Sequence, residues 1–311
     1  MFTYKKVKNT PPLLRAMTSL DQAEFEELVI SFQAAWEAYV KETASSQQNR
    51  QRQPGGGRKP ALRTIADKLL FILYYCKVYP LQEVLAFEFG ITQGQACYWI
   101  HTLSEVLQRA LASRKQSPTR DPTDLEAHLA ESGETEFGID GTERKMQRPT
   151  DDEQQRRYYS GKKKAHTVKN NVVVTLKSRC VHYLSGTYEG KKHDKKICDD
   201  EQLTFPEGST LYKDTGFQGY EPVGVTTQQP KKKPRGHELS EEDKHRNTLI
   251  SKVRIIVEHV ISGIKRCRMV KDVFRNTKEK FVDLVMVIAC GLHNFRTACR
   301  SKSIPAVAYS Q

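Results

Sequence analysis

The hydrophobic period changes along this chain, and that change limits the folds open to it. Up to about residue 112, apolar residues recur at the three-and-four spacing of helices. From residue 136, short runs rich in Val, Ile, Tyr and Phe between Gly and polar turns read as strands. After residue 240 the helical period returns. A chain written this way predicts an α/β fold preceded by an all-α region.

In the front part, Ser19 stands three residues before Gln22, a capping-box spacing. Phe25, Leu28, Val29, Phe32, Ala35, Trp36 and Tyr39 then form one helical stripe. The stretch 47–60, QQNRQRQPGGGRKP, is a polar, Gly-rich linker. A helix over 61–79 ends before Pro80, and a short one covers 81–89. Gly90-Ile91 makes a turn, and Thr92 caps a longer helix to about Ala112. Short helix, Gly turn and longer helix have the shape of a helix-turn-helix, whose second helix presents Gln93, Gln95, Tyr98 and His101 near its start. Gln and Tyr suit base edges and phosphates. An ordinary helix pair fits the same pattern.

In the rear part, 136–142 reads as a strand, and 171–176 with 180–184 as a hairpin. A helix is expected over 194–203 and strands over 210–214 and 224–227. Long helices are expected over 240–265 and 279–300. The boundaries that follow are 1–50 for an N-terminal helical segment, 51–60 for a linker, 61–113 for the helix-turn-helix, 114–132 for a second linker, 133–302 for the α/β domain and 303–311 for a tail.

Charge narrows the partners. The chain has 50 Lys+Arg against 37 Asp+Glu, net +13, and residues 136–311 hold +12 of it. Concentrated positive charge favours a phosphate backbone through counterion release. Seven cysteines without a CxxC pair fit reduced thiols in a cytoplasmic protein, not a disulfide framework or zinc ribbon. No apolar run reaches the about 18 residues of a membrane span. The best candidate, 281–295, contains Asp283 and His293 and reads as a buried helix. The first residues lack a signal-peptide core. No membrane is therefore expected among the partners.

Three acidic residues carry the chemistry. Asp140 and Asp214 end predicted strands, at the rim where open α/β sheets place their sites. Glu258 lies on a helix stripe with Asn247, Ser251, Arg254, Ser262 and Lys265. The opposite side, Ile256, Val260 and Ile264, is free to pack on the sheet, with Val253 and Val257 flanking. Hard carboxylate donors without ligand cysteines favour Mg²⁺ or Mn²⁺. Two such ions could drive in-line phosphoryl transfer. No Walker A loop is present. An Asp at a strand end also caps turns, and Arg254 with Glu258 is also an ordinary helix pair.

The ordered motifs resemble one family. They are Gly138-Ile139-Asp140-Gly141-Thr142-Glu143 with Gln147-Arg148-Pro149, then Tyr158-Tyr159-Ser160-Gly161-Lys162-Lys163-Lys164-Ala165-His166-Thr167-Val168-Lys169, then His193-Asp194. Tyr212-Lys213-Asp214-Thr215-Gly216-Phe217-Gln218-Gly219-Tyr220 follows, and Asn247 with Arg254-x3-Glu258-x6-Lys265 closes the series. The set spans residues 136–300 and resembles the DDE-type transposases of bacterial insertion sequences, the insertion-sequence-five type. The segment 61–112 resembles the helix-turn-helix that precedes the DDE endonuclease domain there.

The resemblance implies an RNase H-like domain, a mixed sheet flanked by helices, with Asp140, Asp214 and Glu258 as catalytic, metal-binding triad, holding two Mg²⁺ (or Mn²⁺) ions. It implies a transposase that binds terminal inverted repeats, hydrolyses the DNA phosphodiester at the element's ends and transfers the 3′-OH to target DNA. It also implies a nucleoid-associated homodimer in a paired-end complex. Arg254 and Lys265 match positions for DNA-end contacts. Position 251 is Ser where related signatures have Tyr.

Lys162, Lys163, Lys164, His166 and Lys169 beside Tyr158 and Tyr159 suit a phosphate track with base stacking, or else a solvated loop. Lys231-Lys232-Lys233-Pro234-Arg235-Gly236 reads as a second DNA-contacting loop. Asp194 is either a metal or water partner or a helix-start cap. Cys290-x2-His293 belongs to a core. An RNase H-like nuclease without strand transfer and a helix-turn-helix regulator with an inactive catalytic domain are the alternatives.

Overall fold

The structure is a computed structural model, and it describes residues 1–45, 61–234, 236 and 238–302. The linker at 51–60, Arg235 and the tail at 303–311 lie outside the described residues. The front of the chain forms α1 (Tyr4–Val7), α2 (Pro11–Thr18), α3 (Gln22–Ser45), α4 (Ile65–Val78), α5 (Gln82–Phe89), α6 (Gln93–Ser113) and α7 (Leu125–Glu131). Next come β1 (Glu136–Lys145), α8 (Asp152–Tyr158), β2 (Tyr159–Ser160), β3 (Ala165–Thr175), β4 (Val181–Leu184), β5 (Tyr188–Glu189) and α9 (Asp194–Glu201). The chain continues through β6 (Thr210–Lys213), β7 (Thr226–Gln228), α10 (Glu241–Ile264), α11 (Arg268–Lys271) and α12 (Phe281–Lys302).

These elements form two compact units. One comprises Met1–Ser117, Arg266–Met269 and the chain from Leu284; the other comprises Pro118–Lys265 and Val270–Asp283. This partition and the sequence ranges do not coincide. Most of α12, placed by sequence in the range 133–302, groups with the helices.

In the helical unit, α4 is the central helix. Asp67 through Cys76 are all buried, because a helix apolar on every side must be surrounded. Its N-terminus closes with a capping box between Thr64 and Asp67. Lys68 on this helix is buried; it donates to the Leu62 carbonyl at 2.9 Å and lies 5.2 Å from Trp36 and 5.8 Å from Trp99 ring centroids. The expected capping box at Ser19 is not formed. Asp21 and Glu24 make that exchange instead, each side chain accepting from the other's backbone N–H at 2.9 Å. Ser19 is the left-handed residue closing α2, a short helix that sequence patterning did not predict.

The sheet unit has strand order β2-β3-β1-β6-β7, with β4 and β5 also pairing with β3. β1 runs antiparallel to β3, while β6 and β7 run parallel to β1. This is the mixed sheet flanked by helices that the resemblance implies, within the α/β class that the period change predicts. β3 starts earlier than expected. It takes in His166 and Lys169, which sequence alone assigns to a loop, and only Gly161–Lys164 form the turn. Ile139, Val173, Leu211, Tyr183 and Phe217 build one core face with Leu129 and Cys198.

The segment Phe281–Ser301 is, among the described residues, the one helix long and apolar enough to cross a membrane, and 67% of its most apolar window is buried. Cys290 and Leu292 belong to the core, and His293 is buried.

Candidate active site

The site grows from two neighbouring parallel strands. In the β1–β6 register Ile139 faces Lys213, so Asp140 and Asp214 come side by side one residue later. Asp214 follows the end of β6 as expected, whereas Asp140, also expected at a strand end, lies inside β1, which runs on to Lys145 because it stays paired with β3. Asp140 accepts from its own neighbour, the Gly141 N–H, at 2.7 Å. Asp214 accepts from the Thr215 N–H at 2.6 Å and starts the turn Thr215–Phe217. Lys213, fully buried, donates to the Tyr220 carbonyl and to Glu221 at 2.7 Å, which closes the loop after Asp214. Sequence patterning places Lys213 in a motif but gives it no role. Its position just before Asp214 is the available signal.

The helix α10 brings the third acid. It packs on β1 and β6. Its buried stripe is Ile250, Val257, Val260, Ile261 and Ile264, so Val257 is central, not flanking, and Ile256 is only half-buried. The reason lies at Gly138. A Cβ there would stand 2.3 Å from Val257 Cγ2. The motif glycine thus creates the notch into which α10 settles, and side chains two apart on a strand share a face. The residue after Val257 is Glu258, which is exposed. Arg254, one turn earlier and mostly buried, reaches both acids: its Nη2 is 3.4 Å from Asp214 Oδ1 and 4.0 Å from Glu258 Oε1.

Electrostatics set Asp140 apart. Burial pushes its carboxyl up to about 6, opposed by the Gly141 N–H and Arg254, while the like charges of Asp214 and Asp194 add to the rise. Among the described residues no group of three His, Cys, Asp or Glu is close enough to hold a metal ion. The donor chemistry fits a hard divalent cation: all three groups are carboxylates, and Asp140 and Asp214 repel each other on neighbouring strands. In this structure Arg254 supplies the countercharge.

A fourth carboxylate lies beneath. Asp194 does not cap α9; the cap position is His193, which makes no side-chain cap bond. Instead Asp194 fills a slot between two backbone segments. A Cβ on Gly141 would be 2.5 Å from its Oδ1, and one on Gly216 would be 3.1 Å from its Oδ2. Lys169 Nζ is 3.1 Å from Asp194 Oδ1 and donates to the Lys192 carbonyl at 2.9 Å. Asn171 donates to the Asp194 carbonyl at 2.9 Å. Lys169, expected on a solvated phosphate track, is therefore turned inward.

The other basic residues separate into two groups. Lys162, Lys163 and Lys164 are exposed on the turn, and the His166 ring meets Tyr159 edge-on at 5.7 Å. Lys163 and Lys265 share a cavity of about 550 Å³ with Lys145, Lys271, Glu143 and Thr167. Burial, and then the charge of Lys163, pushes the Lys265 ammonium down. Lys145 and Lys271 were not singled out by sequence. On the second loop, Lys231 pairs with Asp243 at 2.6 Å, and Asn247 both accepts from the Lys231 N–H and donates to its carbonyl.

In the helical unit, α5, a turn at Gly90 and α6 form the expected helix-turn-helix, and Thr92 and Gln95 complete a capping box. Gln93, Gln95 and Tyr98 are exposed at the start of α6, while His101 is half-buried. Gln93 Nε2 donates to Gln82 at 2.5 Å, and Gln95 accepts from the Thr92 N–H at 3.1 Å. Tyr98 projects at 58% exposure, without such a bond.

Comparison with known proteins agrees with this layout. The family model described as "DDE superfamily endonuclease" matches residues 139–294, and "Helix-turn-helix of DDE superfamily endonuclease" matches 60–113. The chain is 27% identical over 263 residues to "Probable transposase for insertion sequence element IS702" of Microchaete diplosiphon, covering 85% of this chain and 91% of that one. No solved structure matches it significantly. With Asp140, Asp214 and Glu258 all inside the matched endonuclease region, and the helix-turn-helix ahead of it, the chain belongs to the DDE superfamily endonucleases.

Proposed function

We propose that this protein is the transposase of an insertion sequence. In this reading α5 and α6 bind the element's terminal inverted repeats, with Gln93, Gln95 and Tyr98 toward the DNA. Asp140, Asp214 and Glu258 hold two Mg²⁺ (or Mn²⁺) ions. Such ions activate an attacking oxygen and stabilise the leaving oxygen of an in-line displacement. The protein hydrolyses the phosphodiester at the element's ends and joins the 3′-OH to target DNA, as a homodimer holding two ends, in the cytoplasm at the nucleoid.

The observation that carries the reading is the parallel pairing of β1 with β6, which sets Asp140 and Asp214 side by side while α10 adds Arg254 and Glu258. Arg254 is placed to steady Asp214 and Glu258 and to meet a phosphate beside them. Lys163, Lys265, Lys145 and Lys271 line a groove suited to the strand's phosphates. Lys162 and Lys164 extend it on the turn, and His166 at the start of β3. Asp194 and Lys169 support the site from beneath, and His193 precedes α9, its carbonyl accepting from the Ile197 N–H at 3.2 Å.

The test is nicking of duplex DNA carrying the element's terminal repeats, in the presence and absence of Mg²⁺. Asp140→Asn, Asp214→Asn and Glu258→Gln should each abolish nicking while leaving binding intact. Cutting at the wild-type rate by Asp140→Asn and Glu258→Gln would sink the triad. Precut ends incubated with target DNA then separate a transposase, which joins them, from a nuclease, which does not.

A further inference from the structure

The helical unit contains a second basic centre that the endonuclease reading does not use. An open cavity of about 420 Å³ is lined by Arg15, Ser19, Lys77, Arg266 and Arg300. Four different segments supply them: the last turn of α2 and its closing residue, the last turn of α4, the turn at 266 and the end of α12. No acidic residue lines it. Behind it lies the guanidinium of Arg296, at 3% exposure.

The bland explanation is that cations gather at helix C-termini, where the macrodipole is negative. That offsets roughly half a charge per terminus. Three helices end here, and Glu24 adds one carboxylate, 2.8 Å from Arg300. Against this stand the four lining cations, so the surplus is at least one positive charge. Arg15, Lys77 and Arg266 make no ion pair within 4 Å among the described residues. Burial, then the charges of Arg296, Arg266 and Arg268 against the help of Cys267, push the Lys77 ammonium down. Burial, and the charges of Arg266 and Arg300, likewise lower Arg296. The cluster is thus held together against its own repulsion. Ser19 adds a hydroxyl at a left-handed position, φ 65°, where glycine would be least strained.

We propose that this cavity binds a phosphate group. Three guanidinium groups, an ammonium and a hydroxyl converging on one open space are the donor set of a phosphate site, since guanidinium forks match phosphate oxygens. The volume is many times the about 30 Å³ share of one water, so a diphosphate or a stretch of backbone fits. The phosphate comes either from duplex DNA, or from a free phosphate compound. Only the DNA source rests on the reading of the helical unit as DNA-binding.

The test uses the full chain, inorganic pyrophosphate and a duplex of unrelated sequence. Pyrophosphate should raise the melting temperature of the wild type and not that of Lys77→Gln/Arg266→Gln. Without ligand the double variant should melt at or above the wild type, because a self-repelling cluster costs stability that function retains. If the source is DNA, the slope of log affinity against log salt falls by about one for each phosphate the variant no longer neutralises. An unchanged slope, with the pyrophosphate shift present in the wild type and lost in the variant, assigns a free phosphate compound. The proposal is overturned if pyrophosphate leaves the wild type unshifted, if the double variant keeps the shift, or if that variant melts lower without ligand, which would make the cations helix-end supports. None of these readouts needs DNA cleavage, so failure here is distinct from failure of the Asp140→Asn test.

Discussion

Gly138→Ala tests how α10 is seated. The added Cβ would lie 2.3 Å from Val257 Cγ2, 3.3 Å from Leu176 Cδ2 and 3.5 Å from Val174 Cγ2. Carbon atoms pack at about 3.5–4.0 Å, so Val257 must retreat by roughly 1.2–1.7 Å. It sits on a helix at 2% exposure, so the retreat moves α10. Overpacking of this kind costs about 1–3 kcal/mol. Glu258 and Arg254 travel with the helix, and misplacement of about 1 Å at a reacting centre costs on the order of a hundredfold in rate. Urea unfolding should therefore show a loss of about 2 kcal/mol, and Mg²⁺-dependent nicking should fall on the order of a hundredfold. Val257→Ala removes two methyl groups, worth about 1.5 kcal/mol in burial, plus a cavity cost. Combined with Gly138→Ala, it removes the clash, so the double variant should be no less stable than Val257→Ala alone, a coupling well beyond additivity. Additive losses, or a Gly138→Ala protein that unfolds and nicks as the wild type does, would refute the notch.

Asp194→Asn leaves Lys169, 13% exposed, without its carboxylate; unfolding should show a loss of about 2 kcal/mol, recovered in part by Asp194→Asn/Lys169→Met. Lys145→Gln and Lys271→Gln, in the groove with Lys163 and Lys265, should each lower the salt slope of DNA binding by about one without changing the Mg²⁺ requirement; unchanged slopes would place the strand elsewhere.

Much of this fold was legible because its causes are local. Thr92 three residues before Gln95 is a cap wherever it occurs, and α6 starts there. The helix-turn-helix, the order of the strands along the chain and the three acids follow from spacing within short windows. The capping box at Ser19 was misread for the complementary reason: the same local spacing recurs at Asp21 and Glu24, and packing of α2 decided between them. The early start of β3 was hidden because Lys162–Lys164 and Lys169 look like solvated loop, whereas pairing with β2 recruits His166 and pairing with β1 recruits Lys169 to the sheet.

Sequence by itself determined the class of the protein, and it singled out Asp140, Asp214 and Glu258 as candidate acids within the basic half of the chain. Only the tertiary structure decided what long-range contacts create. Parallel pairing of β1 and β6 joins residues 74 positions apart. The notch at Gly138 exists only against Val257, and the slot for Asp194 only between Gly141 and Gly216. The charge shows the same division. Along the chain +12 of the +13 falls after residue 135, which points to the endonuclease domain alone. In space, Arg266 and Arg300 from that stretch join Arg15 and Lys77 around a cavity of the helical unit. Composition counts charges by position along the chain, but repulsion and binding depend on distance, and distance is set by folding.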